Sequence, residues 1–165
     1  MSNVDFTLLK KSFSHLAALD NAEDSKSVAK NIRKHLKLKF PNIKFSVRSS
    51  LGKITVDWTD GVPQAKVSQA LKCFENGSFN GMEDCFDFSK DNFNKIFGGV
   101  KFIQTYRTYT DGKLNEAIEA VRTETSSQDC EVLNLGMWNT GELIGHFPQG
   151  REESFQELIR AELNK

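Results

Sequence analysis

Between Ser25 and Lys53 the chain carries nine basic residues, Lys26, Lys30, Arg33, Lys34, Lys37, Lys39, Lys44, Arg48 and Lys53, and no carboxylate. Ammonium and guanidinium groups gathered without counter-charge are the chemistry that neutralises phosphate. Five of them, Lys26, Lys30, Arg33, Lys34 and Lys37, fall at helical spacing opposite Val28, Ile32 and Leu36, which makes a basic stripe on the wet side of an amphipathic helix. Lys44 and Arg48 alternate with Ile43, Phe45 and Val47 and extend the charge onto the exposed face of a strand, with Lys53 beyond the turn. Lys30, Arg33, Lys34, Lys37, Lys44 and Arg48 are therefore nominated as nucleic-acid-binding residues. Solubility offers a competing account, because lysines are the ordinary covering of a helix's solvent face. Tyr106, Tyr109 and Trp58 are candidates to stack on bases, although Trp58 shares the phase of Ile54 and Val56 and reads as core.

Other side chains capable of chemistry are less organised. Asp84, Asp87 and Asp91, with Glu75 and Glu83 nearby, form a loose acidic cluster whose spacing is not that of a calcium-binding loop, so it reads as an exposed acidic loop and no metal is expected. Asp60, before Gly61, reads as a cap for the helix that follows. Cys73, Cys85 and Cys130 lack any CxxC or Cys/His spacing and read as reduced packing residues. No phosphate-loop, dinucleotide, nucleophile-elbow or zinc-protease motif occurs; no cofactor is implied and no reaction class is favoured.

The elements that would hold these residues follow from periodicity. Phe6, Leu9, Phe13 and Leu16 mark a first helix over residues 5–18, and a second, capped among Asp20, Glu23, Asp24 and Ser25, ends near Phe40, where Pro41 stops it. Residues 43–47 and 54–58 alternate as a hairpin, and Pro63 suits the first turn of a helix carrying Val67, Ala70, Leu71 and Phe74. Residues 75–99 read as a long packed connection, broken by glycines and anchored by phenylalanines. A strand from Val100 to Tyr109 and a helix from Asp111 to Val121 come next. Residues 132–137 and 143–147 read as two further strands about an Asn139-Thr140-Gly141 turn, before a terminal helix from Arg151 to Leu163.

With 165 residues, 38% hydrophobic and 27% charged, the chain is expected to form one α+β domain, a mainly antiparallel sheet with the basic helix and further helices packed on it. Within it, residues 1–24 make an N-terminal helix, 25–110 a core and 111–165 a helix-strand-helix extension. The formal charge of zero hides a gradient: residues 1–58 carry 11 basic and 5 acidic groups, residues 59–110 carry 6 and 6, and residues 111–165 carry 5 and 11. Total charge is thus no argument against an anionic partner. Neither a secretory leader nor a membrane-length apolar run is present, and a cytoplasmic protein with no membrane partner is expected.

Four strings in order carry a family resemblance: Phe40-Pro41-x-Ile43-Lys44-Phe45-Ser46-Val47-Arg48-Ser49, Val56-x-Trp58-Thr59-Asp60-Gly61, Phe74-Glu75-x-Gly77-x-Phe79-x-Gly81-Met82-x-Asp84, and Phe97-Gly98-Gly99-Val100-Lys101-Phe102. Over residues 28–107 the chain resembles the large polyvalent protein-associated domain numbered twenty-nine in its series. The resemblance implies a protein of phages or conjugative elements, acting in the host cytoplasm and suspected of helping the element against host defences. It supplies no activity. Within residues 28–107, Ser46, Asp60, Asp84 and Arg107 are not explained by packing and are candidates for a polar pocket, with a structural salt-bridge network as the competing account. Two functions follow as expectations for this non-enzymatic accessory protein. It binds nucleic acid through residues 25–53, or it inhibits a host defence protein through its acidic last third, where Glu152, Glu153 and Glu157 lie.

Overall fold

The computed structural model describes residues 3–50, 52–80, 82–83, 85–88, 91–125 and 133–165. The chain is α+β, as expected, and is built of two compact units. The first comprises Met1–Trp58 and Gln64–Arg107, the second Thr59–Pro63 and Thr108–Lys165.

In the first unit, α1 (Asn3–Ser12) precedes the basic helix α2 (Ser25–Lys39). Asp24 caps α2, its carboxylate accepting from the backbone N–H groups of Lys26 and Ser27 and from the Ser27 hydroxyl. That hydroxyl above all, helped by the two N–H groups, holds the Asp24 carboxyl below its ordinary range. Strands β1 (Ser46–Ser50) and β2 (Lys53–Thr59) form the expected hairpin, antiparallel with Val47 opposite Val56 and Arg48 opposite Thr55. After α3 (Gln64–Leu71) and a short 3-10 turn, residues 75–99 prove more regular than the long connection expected. They contain an antiparallel pair, β3 (Gly77–Asn80) with β4 (Cys85–Phe88), and the short helix α4 (Asn92–Phe97). Strands this short are masked in the sequence by glycine and polar punctuation.

Strand β5 (Phe102–Thr108) completes a three-stranded sheet in the order β1-β2-β5. It runs parallel to β2, with the Lys101 N–H on the Gly52 carbonyl at one end and the Asp60 N–H on the Thr108 carbonyl at the other. Ile54, Val56 and Trp58 point to the helices, and α2 and α3 cover that face with Val28, Ile32, Leu36, Val67 and Leu71. Phe74, Phe93 and Phe97 complete the core, ring centroids of Phe93 lying 5.1 Å from Phe74 and 5.0 Å from Phe97.

The second unit is helical. Helices α5 (Asp111–Thr125), α6 (Leu135–Thr140) and α7 (Phe155–Leu163) bury Leu114, Ile118, Val121, Leu133, Leu143, Phe155 and Ile159 together. The two strands expected over 132–137 and 143–147 are not formed among the described residues. Asn134 caps α6 by accepting the Met137 N–H, Gly141 ends it in the left-handed region at φ 77°, and Glu142–Gly145 is a 3-10 turn. The apparent alternation placed Leu133 and Leu143 inward, which two helix-flanking positions achieve as well as two strands.

Candidate nucleic-acid interface

The geometry of α2 separates two sets of side chains. Asn31, Ile32, His35 and Leu36 are buried, while Lys30, Arg33, Lys34 and Lys37 are exposed. From Lys26 to Lys37 the stripe runs about 16 Å along the helix axis at the α-helical rise. Lys37 and Arg33 continue into a groove of about 520 Å³ that they line with Lys44, Pro41, Ile43 and Phe45. Its aromatic wall is fixed, because the Phe45 ring packs 5.9 Å from Phe40 and 5.6 Å from Trp58. Arg33 is held in the groove by donating to the Val47 carbonyl, which joins α2 to β1 and leaves the rest of its guanidinium fork for another acceptor. Arg48, on the opposite face of β1 from Val47, pairs with Asp57 across the hairpin at 2.8 Å. Such an exposed pair stabilises little and yields readily to a stronger anion.

Counter-charges decide how this surface behaves. Among the described residues, no carboxylate lies within ion-pair reach of Lys30, Lys34, Lys37 or Lys44. The acidic last third takes its partners from its own cations: Glu116 from Lys113, Glu119 from Arg122, Glu124 from Arg151 and Glu162 from Lys165. A second cavity in the first unit, of about 350 Å³, has the opposite character, with Asp20 and Glu23 at its wall beside Asn76, Asn94 and Lys95. Carboxylates there disfavour phosphate.

Of the four residues expected to share a polar pocket, three lie among the described residues. Ser46 is exposed on β1 and Arg107 half-buried on β5. Asp60, expected to cap the helix after it, directs both carboxylate oxygens to Thr110 instead, one to its N–H at 3.0 Å and one to its hydroxyl at 2.8 Å, at the threshold of α5. Its own backbone sits in the left-handed region, φ 55°. Asp84 lies outside the described residues, as does Cys130. Asp91, from the acidic cluster, caps α4 through the Asn94 N–H, and no group of three metal-ligating side chains occurs among the described residues. Burial pushes the Cys73 thiol up to about 11, so it is a packing residue rather than a nucleophile. Of the stacking candidates, Trp58 is buried, Tyr109 packs against the core of the second unit, and Tyr106 is exposed.

Sequence reasoning missed His15 and His35 as a pair and Phe102 as an exposed ring. Nothing in the spacing of two histidines twenty residues apart announces that they stack. Phe102 sits in a strand whose alternation it obeys, and only the uncovered face reveals it as exposed.

No helix of the described residues is long and apolar enough to cross a membrane. No curated protein and no solved structure matches the chain. A family model does match over residues 23–110, a range that holds the basic helix, the groove and all of the three-stranded sheet. The chain accordingly belongs to the large polyvalent protein associated domain 29 family and is a phage- or mobile-element-associated protein.

Proposed function

We propose that this protein is a non-enzymatic accessory protein that binds nucleic acid through the exposed face of α2 and the Arg33-Lys37-Lys44 groove. One observation carries the reading: among the described residues these cations stand together without carboxylate partners, while Glu116, Glu119, Glu124 and Glu162 of the acidic third pair with cations of that same segment. A stripe kept merely for solubility gains from interspersed charges of both signs, and this one has none. Lysine ammoniums at one-turn spacing fit a phosphate backbone, and the planar guanidinium of Arg33, fixed by its bond to the Val47 carbonyl, fits two oxygens of a single phosphate.

The test is a titration of a labelled oligonucleotide at two salt concentrations. Binding at low salt that weakens steeply as salt rises supports the reading, and absence of binding at low salt sinks it. Inhibition of a host protein by the acidic third draws less support, because Glu116, Glu119, Glu124 and Glu162 are already paired with cations of the same segment. Glu157, one of the acidic residues considered for that role, also closes a capping box with Ser154, so charge reversal at Glu152 and Glu153 alone is the cleaner probe of that alternative.

A further inference from the structure

Among the described residues, α2 packs against the face of the β1-β2-β5 sheet that carries Val47, Ile54, Val56 and Trp58. On the other, Ser46, Arg48 and Ser50 of β1 stand exposed, Lys53, Thr55 and Asp57 of β2 are half-buried between their neighbours, and β5 presents Phe102, Gln104 and Tyr106. Phe102 is 43% and Tyr106 51% exposed. Two aromatic rings at i and i+4 of a strand share one face about 13 Å apart. Exposed aromatic rings set among polar side chains offer an apolar face to a ligand beside a polar surround. Gln104 accepts the Tyr106 hydroxyl at 3.0 Å, which orients that ring, and the Lys101 ammonium sits 5.2 Å from the centre of the Phe102 ring. Arg48, Lys53 and Lys101 give the face a net positive charge against the single carboxylate of Asp57.

The edge of β5 argues for a ligand on the face rather than a strand added beside it. Gln64 donates to the Thr105 carbonyl at 2.7 Å, and the half-buried Glu75 carboxylate accepts the Ile103 N–H, so side chains already occupy two of the groups that strand addition would use.

We infer that this open face is a stacking platform for single-stranded nucleic acid, with Phe102 and Tyr106 each holding a base and Arg48, Lys53 and Lys101 meeting the phosphates. The inference rests on the nucleic-acid reading above and narrows it: π-faces engage bases that are already unpaired, whereas duplex bases present only their edges.

The experiment measures anisotropy of labelled oligothymidylate of about 12 nucleotides and of a duplex of equal length with the full chain. Oligothymidylate should bind more tightly than duplex. Phe102→Ala and Tyr106→Ala should each weaken oligothymidylate binding by roughly tenfold, with duplex binding unchanged and Tyr106→Phe retaining wild-type affinity. Wild-type oligothymidylate affinity in both alanine variants would overturn the platform. If Lys37→Glu and Lys44→Glu abolish binding in that case, the wider reading stands without it. Loss in the aromatic variants alone keeps the platform and removes the groove. No binding of either oligonucleotide at low salt overturns both.

Discussion

The Nε2 of His15 lies 3.0 Å from the Nδ1 of His35, their rings stacked with centroids 5.3 Å apart. His35 also bonds to the Ala70 carbonyl, and with Nδ1 engaged by His15 that bond belongs to Nε2–H. His35 is therefore the Nε2–H tautomer, its Nδ1 accepting the proton of His15 Nε2. Phe13 and Phe74 wall the pair, with centroids 6.3 Å and 5.6 Å from His35. The pair thus ties the segment after α1 to α2 and α3 only while His35 is neutral, because a proton on its Nδ1 removes the acceptor.

Acid should loosen this tie. Burial, then His15 and Lys39, lower the His35 pKa from 6.5 to about 4, and burial with Lys39 and Lys34 lowers that of His15. The unfolded chain therefore takes up the proton first on acidification. Stability falls as pH drops from about 6.5 towards 4, by on the order of 3 kcal/mol at most from His35, and levels below. Urea midpoints measured across this range should decline in the wild type and run flatter in His35→Phe; equal slopes would contradict the assignment.

Asn31, fully buried on α2, makes three bonds: its Oδ1 accepts the Ala17 N–H at 2.9 Å, and its Nδ2 donates to the carbonyls of Ala17 at 2.8 Å and Phe97 at 3.0 Å. Asn31→Leu keeps the volume and takes the amide from the partly buried N–H and carbonyl of Ala17 and from the buried carbonyl of Phe97. A loss of about 3 kcal/mol or more is expected in chemical denaturation. A change under about 1 kcal/mol would mean that those backbone groups find other partners.

Gly98 is irreplaceable for two reasons that Gly52 separates. Both have positive φ, 82° and 76°. A Cβ on Gly98 would stand 2.7 Å from Val28 Cγ2 and 2.9 Å from the Ala22 carbonyl oxygen, whereas one on Gly52 meets nothing within 4 Å. Gly52→Ala should cost about 1 kcal/mol of backbone strain, and Gly98→Ala about 2 kcal/mol beyond that from forced movement against α2. Thermal melts of the two variants give the comparison directly.

Each α2 cation that meets a phosphate should contribute separately to the salt dependence of oligonucleotide binding. Lys30→Ala and Lys37→Ala should each lower the slope of log affinity against log salt by roughly 0.7 to 0.9. The pair together should lower it about twice as far, and Glu152→Lys with Glu153→Lys should leave it unchanged. A slope that ignores the α2 changes would place the phosphate contacts elsewhere.

The helices legible in the sequence are those with long one-sided patterns. Val28, Ile32 and Leu36 against Lys30, Arg33, Lys34 and Lys37 locate α2 and its exposed basic face without any tertiary information, and the hairpin follows from alternation through Val47 and Val56. A short pattern does not decide between helix and strand. Leu133 and Leu143 read as strand residues because two or three alternating positions fit either period, and the deciding feature was the cap at Asn134 with the left-handed Gly141.

Charge order, amphipathicity and family membership are properties of the chain taken locally, and the sequence by itself determined them. Which charges keep partners, which aromatics stay uncovered and which polar groups converge depend on contacts between residues far apart in the chain. Tertiary structure decided that Glu116, Glu119, Glu124 and Glu162 pair with cations of their own segment, that Asp60 turns to Thr110, and that Phe102 and Tyr106 are exposed. Periodicity tells which face of an element is apolar; only packing tells whether another element arrives to cover the opposite face.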